Sequence, residues 1–311
     1  MQNQTIPSKT YSAQCRRKAL TAGLLVCFLA SLAEPCAASL ILNDLGAAGP
    51  GNWAILVGPN TTDFALNGPG TTYGNVGYDG SKTMQLNASG GHEAIDGNLY
   101  LAFGASVNDT TQVTGSVFSN FAALSSDWQD ALNASADFTG MAATQSVPGG
   151  SIHGSMTINS AGATNVIDLS SLNLGNGQVL TLNGSASDQF IINVTGNFVL
   201  NSGKILLTGG LTDDDVVFNV TLSGNAVSTS GGLSNESMIN GILLAPNSGI
   251  AMAPGLIHGE LIAGGQTVHL VSGASVVAPP PGPGVPEPAT YLLLGGGLLG
   301  LGCFARKGRR A

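Results

Sequence analysis

Short apolar runs, each broken by Gly, Asn or Ser, fill the second half of the chain. They fall at residues 155–158, 165–169, 179–182, 190–194, 198–200, 204–207, 216–220, 239–244, 256–262 and 268–271. Several alternate apolar and polar positions with the period of two that marks half-buried strands. Gly or Asn follows many of them, as at Asn183-Gly184 and Ser202-Gly203, and both tolerate the left-handed turn conformation. Most start roughly 6 to 14 residues apart, the rhythm of many short strands. The pattern predicts a mainly β protein: an irregular β-solenoid whose coils each bury small apolar side chains against the next, or a β-sandwich. Aromatic residues are only 5% of the chain, which favours thin stacked coils over a sandwich built around large rings.

One segment departs from this rhythm. Between 118 and 141, Phe121, Leu124, Trp128, Ala131, Leu132 and Ser135 recur at three-and-four spacing. Ser119 or Asn120 can open a helix there and Gly140 can close it. The spacing predicts one amphipathic helix over about 119–139. Its apolar face of Phe121, Leu124, Trp128 and Leu132 would pack along the β core, and a partner-binding helix is the second reading.

The two ends carry a different pattern. Arg16, Arg17 and Lys18 precede an apolar run over 19–33, and small residues follow. This is the layout of a secretory signal peptide over 1–38, with Cys36 and Ala38 at the −3 and −1 positions and cleavage between Ala38 and Ser39. At the other end, a Pro-Gly linker over 279–284 should be stiff and extended. Val285-Pro286-Glu287-Pro288 comes next, then an apolar, Gly-rich stretch over 291–305, then Arg306, Lys307, Arg309 and Arg310. An apolar stretch closed by positive charge is a stop-transfer arrangement, and one this short suits transient anchoring.

The order of that tail resembles the PEP-CTERM sorting signal over 285–311. The resemblance implies export in a Gram-negative, exopolysaccharide-making bacterium and removal of the tail by an exosortase. It implies a place in the cell envelope, at the cell surface or in the extracellular matrix, after an initial stay in the inner membrane. It names no activity.

Charge sharpens the picture. Only 9% of the 311 residues are charged and 45 are Gly, while hydrophobic residues make up 43%, too many for a solvated coil. Eight of the ten basic residues lie in the end segments, leaving Lys82 and Lys204 in an acidic interior. Phosphate binding needs clustered Lys and Arg, so no nucleic-acid partner is expected. All four cysteines, Cys15, Cys27, Cys36 and Cys303, sit in the end segments, so 39–278 has neither disulfide frame nor thiolate metal site.

Candidate chemistry is sparse. His92, His153, His258 and His269 show no metal-binding spacing, although His258 and Glu260 could share one side of a strand. Asp213-Asp214-Asp215 is the densest charge; it reads as a solvated turn or as a calcium loop, and it lacks the alternating spacing that surrounds one ion. No nucleophile elbow and no marked carboxylate pair is present, so no catalytic, cofactor or metal residue is expected and the chain does not read as an enzyme. Thr157, Thr181, Thr195, Thr208, Thr221 and Thr267 form no repeated Thr-x-Thr strands. Asn60, Asn87, Asn193 and Asn219 fit the glycosylation triplet.

A second resemblance covers most of 39–278. Residues 53–58 (Trp-Ala-Ile-Leu-Val-Gly), 67–77, the helix, and 190–196, 215–220, 241–246 and 259–265 are similar in order to choice-of-anchor A adhesive domains and to ice-binding-like β-solenoids. It implies an irregular β-helix with a long helix along one side, and either adhesive or ice-contacting roles. The reading is a non-catalytic, adhesin-like surface or matrix protein that binds exopolysaccharide or neighbouring surface components. Ice binding is the alternative, and a carbohydrate-active enzyme ranks below both.

Overall fold

Each run becomes a short strand, and three strands make one coil of a parallel β-solenoid. The computed structural model describes residues 40–49, 51–92 and 94–278. The signal peptide over 1–38 with its Ala38–Ser39 junction, the linker over 279–284, the motif Val285-Pro286-Glu287-Pro288 and the apolar stretch 291–305 lie outside them. Among the described residues no helix is long and apolar enough to cross a membrane.

Strands are numbered in chain order. Sheet A stacks β12 (Thr164–Leu169), β15 (Gln189–Val194), β18 (Val216–Val220), β21 (Ile242–Ala245), β24 (Leu261–Ala263), β1 (Ile55–Val57), β4 (Val76–Tyr78), β7 (Leu99–Leu101) and β9 (Val117–Ser119). Sheet B stacks β10 (Ser151–Ile152), β13 (Ser171–Leu174), β16 (Phe198–Asn201), β19 (Gly224–Ser230), β22 (Ser248–Ala253), β25 (Thr267–Leu270), β2 (Asp63–Gly68), β5 (Thr83–Ala88) and β8 (Ser106–Val107). Sheet C stacks β11 (Met156–Asn159), β14 (Val179–Asn183), β17 (Lys204–Thr208), β20 (Ser237–Asn240), β23 (Gly255–His258), β26 (Ser275–Val277), β3 (Thr72–Tyr73) and β6 (Ile95–Asp96). The ladders run parallel, which sets aside the β-sandwich.

Burial follows the sequence pattern. Strands of sheets B and C alternate buried and open positions, as in β14 and β16, because one face meets the core and the other meets solvent. Strands β15, β18 and β21 of sheet A are buried throughout. Phe190, Ile192 and Phe218 point into the solenoid, while Ile191, Val217 and Ile242 belong to a second apolar cluster shared with the helices.

The coils are not stacked in chain order. β1 pairs on one side with β24, from the far end of the domain, and on the other with β4. Strands β25 and β26 therefore supply two sides of a coil whose third side is β1. The first described strands extend the stack that the last ones end. Ala54 and Ala278 meet at this corner between sheets C and A, both close to Gly74.

Helix α2 (Leu124–Gly140) returns the chain from β9 to the other end of the stack, and α1 (Leu40–Leu45) packs beside it. The 17 residues of α2 reach about 26 Å, some five coils at about 4.8 Å each. It starts later than the spacing predicts. Val117–Ser119 is β9, Asn120 takes φ +58°, and the Phe121 amide donates to the Leu101 carbonyl, so these residues are held by the sheet. The buried face is Leu124, Trp128, Ala131, Ala134, Ser135 and Phe138, with Phe121 and Leu132 at its margin. Trp128 lies flat on Gly58 and Gly264, where any Cβ would overlap the indole.

Candidate functional site

Sheet A is closed to ligands because α2 is bolted to it. Asp168, Asn193 and Asn219 are stacked in register on β12, β15 and β18. Asn219 Nδ2 donates to the Ser135 carbonyl (3.0 Å), the Thr139 hydroxyl (3.0 Å) and Asn193 Oδ1 (2.9 Å), and Ser135 Oγ donates to Asn219 Oδ1 (2.6 Å). Asn193 Nδ2 donates to the Phe138 carbonyl (2.9 Å) and to Asp168 Oδ1 (3.0 Å). A helix leaves its last carbonyls without intrahelical donors; Asn193 supplies a donor to that of Phe138. Asn193 and Asn219 are 3% and 0% exposed, so neither can accept a glycan, in contrast to the exposed Asn60 and Asn87.

Sheet B is open and almost uncharged. Asn173, Val199, Ser228, Ala251, His269, Ala65 and Gln85 succeed one another coil by coil on its outer side. Its ion pair joins His269 Nε2 to Asp63 Oδ2 at 2.9 Å. Sheet C is more apolar: Leu206, Met238, Leu256 and Val277 are half-buried, and Tyr73 is exposed.

The corner between sheets A and B holds a groove of about 450 Å³ lined by Asn60, Asn225, Asn247, Gln266 and Thr267. Four consecutive coils turn there, at the β18–β19, β21–β22, β24–β25 and β1–β2 connections, and each contributes one primary amide, Asn225 from the start of β19 and the others from the loops. All four amides are exposed. Among the described residues none of them is held by a side-chain hydrogen bond. An amide both donates and accepts, so the groove offers paired hydrogen-bonding groups from four successive coils. The sequence hides it because the four residues lie far apart along the chain, and Asn60 joins the other three only through the out-of-order stacking.

A smaller cavity of about 210 Å³ opens where α2 begins, lined by Asn52, Trp53, Asn75, Tyr100, Phe121 and Asp127. Trp53 meets Tyr100 edge-on at 5.2 Å and its indole N–H donates to the Ala47 carbonyl. Burial pushes the Asp127 carboxyl above its usual range, and hydrogen bonds from Ser126 and Trp53 pull the other way.

The predicted chemical residues separate. His258 faces out from sheet C, but Gly259 at φ +130° turns the corner and Glu260 is fully buried, so the two do not share a strand side. Asp213–Asp215 form a 3-10 turn in which Asp215 Oδ2 accepts from the Thr212 amide (2.8 Å) and hydroxyl (2.7 Å). Thr157 and Thr181 pair across sheet C, and Thr195 and Thr221 follow the paired Val194 and Val220 at the end of sheet A; the six threonines form no longer row. Among the described residues no three His, Cys, Asp or Glu side chains converge as metal ligands.

Comparison with known proteins agrees with this architecture. The profile of an ice-binding-like adhesive domain matches residues 41–276, and that of the PEP-CTERM protein-sorting motif matches 284–310. The ice-binding protein of an Arctic yeast shares the fold at TM-score 0.52 and 17% identity, over 76% of this chain and 93% of that one. An ice-binding protein of the Antarctic ascomycete Antarctomyces psychrotrophicus aligns at TM-score 0.49 and 22% identity, over 75% and 97%. No curated protein matches.

Proposed function

The chain belongs to the ice-binding-like adhesive domain family, and from that premise we propose that it is a non-catalytic adhesin of the cell surface or matrix that binds exopolysaccharide. The sorting motif indicates an exported, surface-sorted protein and implies exosortase processing. Cleavage between Ala38 and Ser39, and a passing stay of 291–305 in the inner membrane, belong to the same proposal. So does the division into a signal peptide, a domain over 39–278, a linker and a sorting tail.

The observation that carries the reading is the row of Asn225, Asn247, Gln266 and Asn60, one free amide per coil. Sugar hydroxyls are donors and acceptors, and so are amides. A groove with one amide from each coil suits a polymer, and repetition along it adds avidity to weak single contacts. The apolar outer side of sheet C suits neighbouring surface proteins. The family and its structural neighbours are ice-binding or adhesive domains.

Retention on the host's extracellular polysaccharide tests the proposal. Saturable retention that free polysaccharide competes away supports it. A folded protein that is not retained, yet shapes ice or shows thermal hysteresis, favours ice binding, the alternative role. The open, weakly charged outer side of sheet B is the feature that would serve it.

A further inference from the structure

The cavity of about 210 Å³ at the start of α2 has a chemistry that the amide row does not share. Over most of the solenoid the large rings are packed away: Phe64, Tyr78, Phe138, Phe190, Phe198 and Phe218 are fully buried. At the last coils of sheet A they come to the surface. Tyr100 on β7 and Phe118 on β9 are register partners, with rings stacked at 4.8 Å and planes 15° apart. Phe121 closes on Tyr100 at 4.8 Å, and Trp53 meets it edge-on. Sheet A ends with β9, so no further coil covers Phe118, which is 43% exposed.

The cavity walls are held by the fold itself. The Trp53 indole N–H donates to the Ala47 carbonyl (3.0 Å). The Asn75 side chain donates to the Asn52 carbonyl (3.0 Å) and accepts from the Asn98 amide (3.2 Å). Such preorganisation lowers the ordering cost of binding. Asn52 is exposed at the rim; its Nδ2 reaches the Ala47 carbonyl at 3.3 Å, and its Oδ1 has no partner among the described residues. The Asp127 side chain lines the same cavity.

Aromatic walls with an amide and a carboxyl beside them match the two-sided chemistry of a sugar ring, which has an apolar C–H face and an edge of hydroxyls. Ring faces are electron-rich and attract C–H groups, while amide and carboxylate oxygens accept from hydroxyls. Pockets for drug-sized ligands run to roughly 300–1,000 Å³, so this smaller one admits a single sugar unit. Charge narrows the class. Asp130 Oδ2 accepts from the Ala47 amide (3.3 Å), and Asp79 Oδ1 accepts from the Ser125 hydroxyl (3.1 Å) at the start of α2. Burial, and then the charges of Asp130 and Asp79, raise the Asp127 carboxyl. Neither Lys82 nor Lys204 lines the cavity. Carboxylates without a cation repel an anionic sugar.

We propose that this cavity is a second sugar subsite, which takes one neutral hexopyranose unit against Tyr100 and Phe121 and hydrogen-bonds it through Asn52 and Asp127. This rests on the reading of the chain as a polysaccharide binder and adds the class of sugar. The amide row holds the polymer across successive coils; the subsite holds a single unit beside the start of α2.

The test is tryptophan fluorescence of the full chain, since Trp53 lines the cavity. The probes are the methyl glycosides of glucose, galactose and mannose, and that of glucuronic acid. A saturable change with a neutral glycoside is expected, with binding of the glucuronide at least tenfold weaker. Phe121→Ala and Asn52→Ala should each weaken binding at least tenfold. If Phe121→Ala does not fold, Asn52→Ala, at an exposed position, decides. Replacing Asn225, Asn247 and Gln266 together by Ala should leave glycoside binding as in the parent, which separates the subsite from the row. Retention on polysaccharide without any glycoside response would overturn the subsite and leave the proposed function standing. Glycoside binding without retention would support the subsite and count against polysaccharide binding. Equal binding of the glucuronide, or unchanged binding in Asn52→Ala or Phe121→Ala, would also overturn the subsite.

Discussion

Two buried polar residues show how much a single side chain decides in this protein. Asn219 replaces an apolar residue in the run Val216-Val217-Phe218-Asn219-Val220 and makes four hydrogen bonds to or within the α2 interface. Asn219→Ala leaves Asn193 Oδ1 without its donor and the Ser135 hydroxyl without its acceptor, while the Ser135 carbonyl keeps the Thr139 hydroxyl. Each orphaned group costs about 1–3 kcal/mol, so a fall in melting temperature of several degrees is expected in calorimetry. Asp127 behaves in the opposite sense. Burial raises its pKa above the unfolded value, so the fold prefers the protonated form. Its contribution is fully present below the unfolded pKa of about 4 and is lost as pH rises through the folded pKa. Asp127→Asn should therefore flatten the decline in urea midpoint above pH about 4; an unchanged profile would show that Asp127 is not its source.

At the scale of elements, helix α2 and sheet A depend on contacts that admit no extra atoms. Gly264→Ala drives a methyl into the Pro246 carbonyl oxygen and the Trp128 ring. Overpacking of this kind costs about 1–3 kcal/mol; circular dichroism should show the solenoid retained while the near-ultraviolet tryptophan signal changes. Much of this level was legible in the sequence. The contrast between alternating runs such as 179–182 and continuous ones such as 190–194 separates an open sheet from one covered on both faces. The helix period picked out Leu124, Trp128 and Ala131. Its start was misplaced because Val117–Ser119 and Asn120 suit a helix start as well as a strand end, and pairing with β7 decides between them. An Asn at the same place in 190–194 and 216–220 was the visible trace of the helix-binding ladder. It was read as a glycosylation triplet because period two alone does not tell which face a helix covers.

At the scale of the whole molecule, the amide row gains its fourth member, Asn60, because the first coils stack on the last. Replacing Asn225, Asn247 and Gln266 together by Ala should leave the melting temperature within about 1 °C, since exposed groups away from packing change stability little. Retention on polysaccharide should fall at least tenfold; equal retention would move the binding surface to sheet B or C. No local pattern marks this row, since each member is a single polar residue in or beside a turn. The family-like order of motifs pointed to the solenoid but not to the stacking order that builds the groove.

That stacking order also decides where a pull on the sorting tail would act. The tail follows Ala278, and β26 is the sixth of eight strands in sheet C, hydrogen-bonded to β23 on one side and β3 on the other. Traction from the cell therefore loads an interior strand gripped on both flanks, and a ladder on each side must shear before it moves. A solenoid tethered at its last coil would instead peel one turn at a time. In the proposed adhesin, fastening by the waist would put the attachment point on a strand held from both sides.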